Sequence, residues 1–448
     1  MLCINLKNIT YFIISLCALI RIIGINYGYP FPLVSDEESV IGGALRMLEY
    51  KTLIPASEPE AFKVLSYPPL IPYLYLLLVT PFVLLLYVFS GFPPMSEFGI
   101  QVFENIGVIW ILSRMVSVLF SIATVVIIYK IAKNIFNNHF AILMTTILLG
   151  FEFFNVFLSH FARHWSVTVF FVWSSCLFAQ YIYISNKRRD YILTGLLAGL
   201  GYASSYIGSF GLAAGVMAYI WLGKYKQNSI NLAIMLAIFT VTVIVASLLY
   251  PGAIQRYLFS GVLPVHEAKT LIGYIDSLKY YFIIMYQSNP VLLMFVFVGI
   301  SAMVIWREYI WLFWSLALIF AYILFIYLMM PLEDRYILIV TPVFAIIGGK
   351  AVELIMNTRN SVIPAIRNLV ITILFMTTVY PVCVASHTSY LLSKKDTRLI
   401  AKEWIENNIE KETKIIVDLG HVKLRSTKDA LIEQKKISNG YLTAKERT

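Results

Sequence analysis

The chain has 448 residues, of which 59% are hydrophobic and only 13% are charged, and its mean hydropathy is +0.77. Soluble proteins carry about 25% charged residues, so a soluble enzyme, a nucleic-acid-binding protein and a disordered scaffold are excluded together, and an integral membrane protein remains. We ascribe the net charge of +10 to topology and lipid headgroups, and expect no nucleic-acid partner.

Apolar runs of the length that crosses a bilayer, about 17 to 25 residues, predict the membrane spans. They cover 9–28, 108–130, 139–158, 166–184, 230–250, 290–306, 310–330, 336–356 and 367–386. The stretch 191–222 is too long for one straight span and has a Gly- and Ser-rich middle, which predicts a tight helical hairpin. Counted as two spans, the hairpin brings the total to about eleven. The first run has no small-residue cleavage site after it, so we expect an anchor and not a signal peptide.

The stretch 70–90 is apolar enough to cross but contains Pro72 and Pro81. If it does not cross and the N-terminus is cytoplasmic, most Lys and Arg of the connections fall on the cytoplasmic side, as is usual for membrane proteins. A crossing 70–90 with an outside N-terminus gives the same downstream orientation, so both topologies stay open. In the preferred one, a long first loop, 29–107, and a second loop near 251–289 face outward.

This organisation predicts an all-α membrane core, 1–390, followed by a short soluble tail, 391–448, on the outer side. In the tail, 396–409 has the apolar spacing of an amphipathic helix capped by Asp396. A β-type run follows at 414–419, so we expect the tail to be small and α/β. The chain has no nucleotide-binding glycine motif, which argues against an ATP-driven pump.

The run Ser35-Asp36-Glu37-Glu38 follows the first span, where it would lie at the membrane–water boundary. Adjacent carboxylates repel one another, so one of them is suited to accept a proton near neutral pH if it is partly desolvated. The alternative is a solvated helix N-terminus with Ser35 or Asp36 as the N-cap.

Charged groups at other span ends are further candidates. Arg114 lies inside a span and needs a partner or a polar cavity. His160 and His164 have the i, i+4 spacing of a metal pair or of a phosphate contact, and polar interface residues are the alternative. Arg335 opens a late span and suits recognition of a lipid phosphate, whereas an interfacial anchor paired to Asp334 is the alternative.

In their order along the chain, these features resemble the polytopic glycosyltransferases of the GT-C class that use lipid-linked sugars, particularly the protein O-mannosyltransferase and aminoarabinose-transferase-like families (families 39 and 83). The resemblance covers nearly the whole chain. It rests on five features in chain order. The first three are an acidic pair in the first outer loop (Asp36-Glu37), a Pro-Pro-Leu juxtamembrane helix (Pro68-Pro69-Leu70) and an Arg-led span (Arg114). The last two are a Ser-x-x-Ala-Arg turn (Ser159 with Ala162-Arg163) and a late Arg-Tyr (Arg335-Tyr336). Family members often have a second acid where this chain has His164-Trp165, and a Lys or His where it has Tyr67.

The resemblance implies a GT-C fold and transfer of a sugar from a polyprenyl or dolichyl phosphate to an acceptor hydroxyl outside the membrane, with inversion. It implies Asp36 as the base, with Glu37 holding the acceptor or tuning Asp36. The groups expected to contact the donor and its phosphate are Arg335, Arg163, Arg114, His164, Tyr336 and Tyr67.

Several alternatives stay open. A divalent metal ion held by Asp36, His160 and His164 is one, and the acceptor can be a protein, a lipid or a glycan. A transporter or flippase for lipid-linked solutes is a rival, for which Glu152 is the one mid-span acid. A non-catalytic GT-C-like membrane partner is another. Each hypothesis places the chain in a cell membrane as a multi-pass protein among membrane lipids.

Overall fold

A computed structural model describes residues 6–30, 33–223, 225–252, 270–357, 364–410, 413, 415 and 424. Within these ranges the regular structure is helical and contains no strand, which confirms the predicted all-α membrane class. The expected amphipathic helix of the tail is present as Thr397–Asn408. The expected β-type run at 414–419 lies, except for residue 415, outside the described residues.

The helices are numbered in chain order. They are α1 Leu6–Ile22, α2 Ser35–Glu49, α3 Leu70–Phe89, α4 Met95–Glu104, α5 Ile106–Ile135, α6 His139–Gly150, α7 Phe153–Ser159, α8 Trp165–Ser185, α9 Arg188–Ser204, α10 Gly211–Leu222, α11 Tyr225–Leu249, α12 Leu271–Ser288, α13 Pro290–Ile305, α14 Tyr309–Met329, α15 Thr341–Asn357, α16 Pro364–Thr377, α17 Val379–Leu392 and α18 Thr397–Asn408. Short 3-10 turns occur at Pro55–Ser57, Tyr206–Phe210 and Asp334–Ile339.

Six helical stretches of the described residues are long and apolar enough to cross a membrane, or up to eight if each of two bent pairs counts as one span. The predicted total of about eleven is therefore not confirmed. The difference arises because several predicted spans are short or broken helices. Helix α3, which covers the stretch 70–90, belongs to the six by length and composition.

Two predicted spans are broken at polar residues. The predicted span 139–158 is the pair α6 and α7, bent by 49°, and the Glu152 carboxylate caps α7 by accepting from the backbone N–H groups of Phe154 and Asn155 at 3.0 and 2.6 Å. Helices α12 and α13 meet at 117°, at Asn289, whose amide nitrogen donates to Glu152 at 2.8 Å. The hydrogen bond from Asn289 to Glu152 thus connects the two helix breaks.

Two other predicted connections are the second loop and the hairpin within 191–222. The second loop, expected near 251–289, contains the helix Leu271–Ser288 in its last part, and residues 253–269 lie outside the described residues. The hairpin expected within 191–222 is present as α9 and α10. At its turn, a Cβ on Gly208 would lie 2.2 Å from the Gly201 carbonyl oxygen, so the close approach requires glycine there.

The last apolar stretch runs from Asn368 to Asn408, or 41 residues. A continuous helix of 41 residues would be about 60 Å long at about 1.5 Å per residue, twice the hydrocarbon thickness of a bilayer. Only its apolar first part, α16 and α17, suits the membrane, and the charged α18 lies beyond it.

Candidate active site

The candidate site lies where α2 begins. The N-cap of α2 is Val34, with no side-chain cap, so the expected capping by Ser35 or Asp36 was wrong. Asp36, Glu37 and Glu38 occupy the first turn, where negative charge is favoured by the helix dipole. Side chains one residue apart point in different directions on a helix. Asp36 and Glu37 consequently enter two different environments.

Asp36 faces an open cluster of basic groups. Its side chain is 47% exposed, and its Oδ2 atom lies 3.3 Å from Arg163 Nη1 and 3.7 Å from Arg335 Nη1. Arg163 Nη1 also donates to the backbone carbonyl of Asp36 at 2.8 Å. The structure therefore brings together three residues that the sequence predicted, from three distant segments of the chain.

Arg335 is held by its neighbours and remains partly open. It lies in the 3-10 turn Asp334–Ile339 that precedes α15, and not at the N-terminus of the α-helix as expected. It forms an ion pair with Glu333, its side chain is 32% exposed, and its guanidinium lies 5.3 Å from the centre of the Trp165 ring. Among the described residues, the Nε atoms of Arg335 and Arg163 are buried without a hydrogen-bond acceptor. Both arginines thus retain donors for an anion.

Glu37 and Arg114 form a buried ion pair behind this cluster. Arg114 Nε and Nη2 donate to Glu37 Oε1 and Oε2 at 2.8 and 2.7 Å, with the side chains 2% and 0% exposed. Arg114 Nη1 donates to the carbonyls of Ile25 and Tyr27. Both side chains are therefore occupied inside the protein, and the structure does not bring them into the open part of the site, where the sequence analysis expected them.

This pair fixes the positions of Asp36 and Arg163. The backbone N–H of Ala162 donates to Glu37 Oε1 at 2.7 Å, which ties the segment before α8 to the first turn of α2. The Ser117 hydroxyl donates to the Arg163 carbonyl at 3.3 Å. A bidentate pair holds its partners in one orientation, so the geometry of the open cluster depends on it.

Aromatic rings form a wall beside the cluster. The His164 ring lies 4.5 Å from Tyr67 and 4.1 Å from Trp165, between ring centres, and Tyr206 lies 5.5 Å from Tyr67. Tyr336 is buried with its ring 5.3 Å from Trp165. Tyr206 escaped the sequence analysis, because nothing local distinguishes it from the other tyrosines of a chain that has 29.

His164 is the buried histidine of this wall. Burial, followed by the charges of Arg163 and Arg335, lowers the pKa of His164 well below its usual value, so the ring is neutral. Within the described part of the chain, neither ring nitrogen has a hydrogen-bond partner. Burial raises the pKa of the neighbouring Tyr67 phenol. Both groups therefore offer neutral hydrogen-bonding atoms.

The expected metal site is not assembled. Both ring nitrogens of His160 lie 2.8 Å from backbone carbonyls, those of Val156 and Ile23, so the ring is turned into the protein. In the ranges that the structure covers, no group of three or more His, Cys, Asp or Glu residues could hold a metal ion. The structure therefore does not bring Asp36, His160 and His164 together as one ligand set.

A second buried arginine was missed by the sequence analysis. Arg21 donates to Ser121 Oγ at 2.7 Å, to Asn155 Oδ1 at 2.9 Å and to the carbonyls of Cys17 and Gly150. Its position in an apolar run was a detectable signal, because a charge there requires polar partners. It joins α1 to the break between α6 and α7.

Comparison with known proteins matches both part of the sequence and the fold. Residues 92–250 match the family described as dolichyl-phosphate-mannose-protein mannosyltransferase. ArnT from Cupriavidus metallidurans bound to undecaprenyl phosphate aligns with a TM-score of 0.55 and 12% identity, over 93% of this chain and 84% of that chain. ArnT in the apo state aligns with a TM-score of 0.52 and 12% identity, over 93% and 83%. No curated protein matches the chain in sequence.

The chain therefore has the GT-C fold of ArnT, and the predicted fold class is confirmed. The family match over residues 92–250 and the likeness in fold agree with the resemblance that the motifs of the sequence indicated.

Proposed function

We propose that the protein transfers a sugar from a polyprenyl or dolichyl phosphate to an acceptor hydroxyl on the outer side of the membrane, with inversion. The observation that carries this proposal is the half-exposed Asp36 carboxylate between Arg163 and Arg335, at 3.3 and 3.7 Å. A proton acceptor and two anion-binding groups then lie within one small volume. That is what transfer from a phosphate leaving group requires.

The two arginines are the proposed site of the donor phosphate. The phosphate oxygens suit guanidinium groups, which bind them in two places. When a phosphate binds Arg335, it competes with Asp36 for the same Nη atoms, so the carboxylate becomes available to the acceptor. The undecaprenyl phosphate bound to ArnT supports a donor of this chemical class.

In the proposed step, the acceptor oxygen forms a bond to the anomeric carbon as the bond from that carbon to the phosphate oxygen breaks. The acceptor proton passes to Asp36, and the lipid phosphate leaves with the bonding electrons, its new charge stabilised by Arg163 and Arg335. A single displacement inverts the anomeric centre. No nucleotide and no oxidant takes part.

The aromatic wall is the proposed contact for the sugar. Rings bind the apolar faces of sugars, and the unpartnered nitrogens of His164 suit a sugar hydroxyl, because a buried polar atom without a partner costs about 1–3 kcal/mol. Tyr67 and Tyr206 extend this surface. Glu37 and Arg114 are reassigned to positioning Asp36 and Arg163, without substrate contact.

The orientation of the site is also part of the proposal. Asp36 and Arg335 share one side of the membrane in the topology that places most basic connections in the cytoplasm. We place the site on the extracytoplasmic side. The proposed donor there is a lipid-linked sugar, and no nucleotide sugar is needed.

Glu152 bears on the rival transporter hypothesis. Its two carboxylate oxygens accept from Phe154 N, Asn155 N and Asn289 Nδ2. This set of bonds caps α7 and joins two helix breaks. A side chain engaged in this way is suited to hold structure rather than to bind a solute, which favours the transferase.

The test is transfer by purified protein in lipid nanodiscs supplied with radiolabelled polyprenyl-phosphate hexoses and pentoses. We expect release of polyprenyl phosphate with one of these donors, and at least about a hundredfold less from Asp36→Asn. Full turnover by Asp36→Asn would remove Asp36 from the mechanism. Movement of intact donor between leaflets without release of phosphate would instead support a flippase.

A further inference from the structure

A polar cavity lies at the end of the bundle opposite to Asp36. Arg114 in α5 and Trp165 at the start of α8 lie near the candidate site, and both helices end beside this cavity. From Arg114 to Lys133 the helix rises about 28 Å at 1.5 Å per residue. The cavity is therefore about one bilayer thickness from the site and takes no part in its chemistry.

Three basic side chains line this cavity, whose volume is about 560 Å³. They are Lys130 and Lys133 from the end of α5 and Arg189 from the start of α9, and Asn134 and Tyr181 also line it. Arg189 Nε lies 3.6 Å from Asp190. Neither lysine has a carboxylate within ion-pair distance in the part of the chain that the structure describes. The cavity thus holds more positive charge than its own acids neutralise, which suits an anion.

An apolar cavity of about 570 Å³ adjoins the basic one. The two share Asn134, whose side-chain amide donates to Gln180 at 2.9 Å. The remaining lining is mostly apolar and comes from α5, α8, α10, α14 and α15, and it includes Trp173, Trp221, Trp311 and Trp314. A hydrophobic chamber with a basic mouth fits a ligand with apolar chains and an anionic head.

The position of the tryptophans indicates that the basic cavity lies at a membrane surface. Trp221 ends α10 and Trp314 lies in the first turns of α14, and their rings are 5.0 Å apart. Trp311 lies 5.2 Å below the Lys350 ammonium. Tryptophan is enriched at the level of lipid headgroups. The basic cavity beside these rings is therefore at headgroup depth.

We propose that these two cavities form a binding site for an anionic glycerophospholipid. The phosphate binds Lys130, Lys133 and Arg189, and one acyl chain lies in the apolar cavity past Asn134. Basic pockets between membrane helices bind anionic lipid headgroups in this way. The site holds a structural lipid on the face opposite to the proposed sugar transfer, and it does not depend on that transfer.

The polyprenyl chain of the proposed donor lipid is the alternative occupant of the apolar cavity. The apolar cavity reaches Trp173, about two turns along α8 from Trp165, so a long chain anchored at Arg335 could enter from the other end. The basic mouth favours the phospholipid, because a donor anchored at Arg335 leaves Lys130, Lys133 and Arg189 without an anion. The two occupants predict different effects of the same substitutions.

The experiment is native mass spectrometry of the purified protein after exchange into phosphatidylglycerol or phosphatidylcholine with the same acyl chains. We expect retention of phosphatidylglycerol over phosphatidylcholine. The variant Lys130→Gln/Lys133→Gln/Arg189→Gln is expected to lower that retention at least about tenfold, because basic groups at the surface attract anionic lipid. The matched control Lys51→Gln/Lys63→Gln/Lys279→Gln removes equal charge elsewhere and is expected to change nothing.

A second variant tests the apolar part with all charges intact. Ala218→Phe places a ring in the apolar cavity and is expected to lower retention of phosphatidylglycerol, with thermal unfolding used to confirm that the variant folds. Equal retention of both lipids, or unchanged retention in the charge variant, would overturn the proposal. So would an equal loss of polyprenyl phosphate from the charge variant, since the cavity would then belong to the donor. These binding measurements need no turnover, so absence of sugar transfer leaves their outcome intact.

Discussion

Arg335 Nη1 lies 3.7 Å from Asp36 Oδ2, although Asp36 opens α2 and Arg335 precedes α15. The same guanidinium pairs with Glu333 and lies over Trp165. Its charge is therefore shared between two carboxylates. In the proposed mechanism, a phosphate that binds Arg335 changes the partner of Asp36, which couples donor binding to the readiness of the base.

Asp36→Asn is expected to lower turnover by at least about a hundredfold, the usual contribution of a general base, while leaving the protein folded. The amide preserves size but cannot accept the acceptor proton. Turnover and donor affinity are measured on the same nanodisc preparation. Glu49→Gln, an exposed acid at the other end of α2, is the control and should behave as wild type.

Arg335→Gln is expected to lower kcat by about 10²–10³, the cost of removing one donor to a developing charge. Arg335→Lys should recover little, because an ammonium lacks the guanidinium fork. Steady-state kinetics with a fixed acceptor separate kcat from KM. Arg307→Gln, at the opposite end of the bundle, is the control. An Arg335→Lys enzyme with wild-type kcat would contradict a two-point contact.

The buried pair of Glu37 and Arg114 is expected to stabilise the fold. Glu37→Gln leaves Arg114 buried with an incomplete partner, and loss of one member of a buried pair costs about 3–5 kcal/mol. We expect a clear fall in the midpoint of thermal unfolding in detergent. The double variant Glu37→Leu/Arg114→Met should lose less than the sum of Glu37→Leu and Arg114→Met, because neither charge is then left alone. Additive losses would show that the two side chains are not coupled.

The sequence was sufficient to predict the fold class and three members of the candidate site, Asp36, Arg163 and Arg335. Asp36 and Arg335 were detectable because charges at the ends of apolar runs are conspicuous, and Arg163 was identified through the Ser-x-x-Ala-Arg turn of the resemblance. The different environments of Asp36 and Glu37 were not detectable, since adjacent acids look alike until the helix start is known. The true start, at Val34 and Ser35, turns Glu37 inward to Arg114.

Broken helices explain most of the difference in span count. A hydropathy window treats 139–158 as one run, because a single Glu152 does not outweigh its apolar neighbours. The break depends on the bond from Asn289, far along the chain, which no local window contains. Tyr206 was missed for the same reason: its place beside Tyr67 is set by tertiary packing.

His164→Phe is expected to lower kcat/KM for the donor by about tenfold, because one hydrogen bond contributes about 1 kcal/mol or more. Phenylalanine keeps a ring against Tyr67 and Trp165 but removes both nitrogens. Since burial holds the pKa of His164 low, the dependence of kcat/KM on pH should keep its shape. A loss of at least about a hundredfold together with a change in that shape would show that His164 transfers a proton instead.

The tail helix α18 is joined to the segment between α1 and α2 by one charged cluster. Asp396 caps α18 by accepting from Arg398 N at 2.8 Å, and it also accepts from Arg398 Nε at 2.8 Å and from the Tyr27 hydroxyl at 2.6 Å. Arg398 Nη1 donates to the Leu33 carbonyl at 3.0 Å. The Tyr27 carbonyl accepts from Arg114, so this cluster continues to the buried pair behind the site.

This cluster makes the attachment of α18 sensitive to acid. Hydrogen bonds from Arg398 hold the pKa of Asp396 well below its usual range, against the opposing effect of partial burial. A carboxyl with a depressed folded pKa stabilises the fold above its unfolded pKa, about 3.9, and that stabilisation is lost as pH falls toward the folded value. Hydrogen-exchange protection of Thr397–Asn408 should therefore decline below about pH 4. Asp396→Asn keeps a cap oxygen and loses the charge, so its protection should be lower at neutral pH and nearly independent of pH. Equal protection of both proteins across this range would show that Asp396 does not hold the tail.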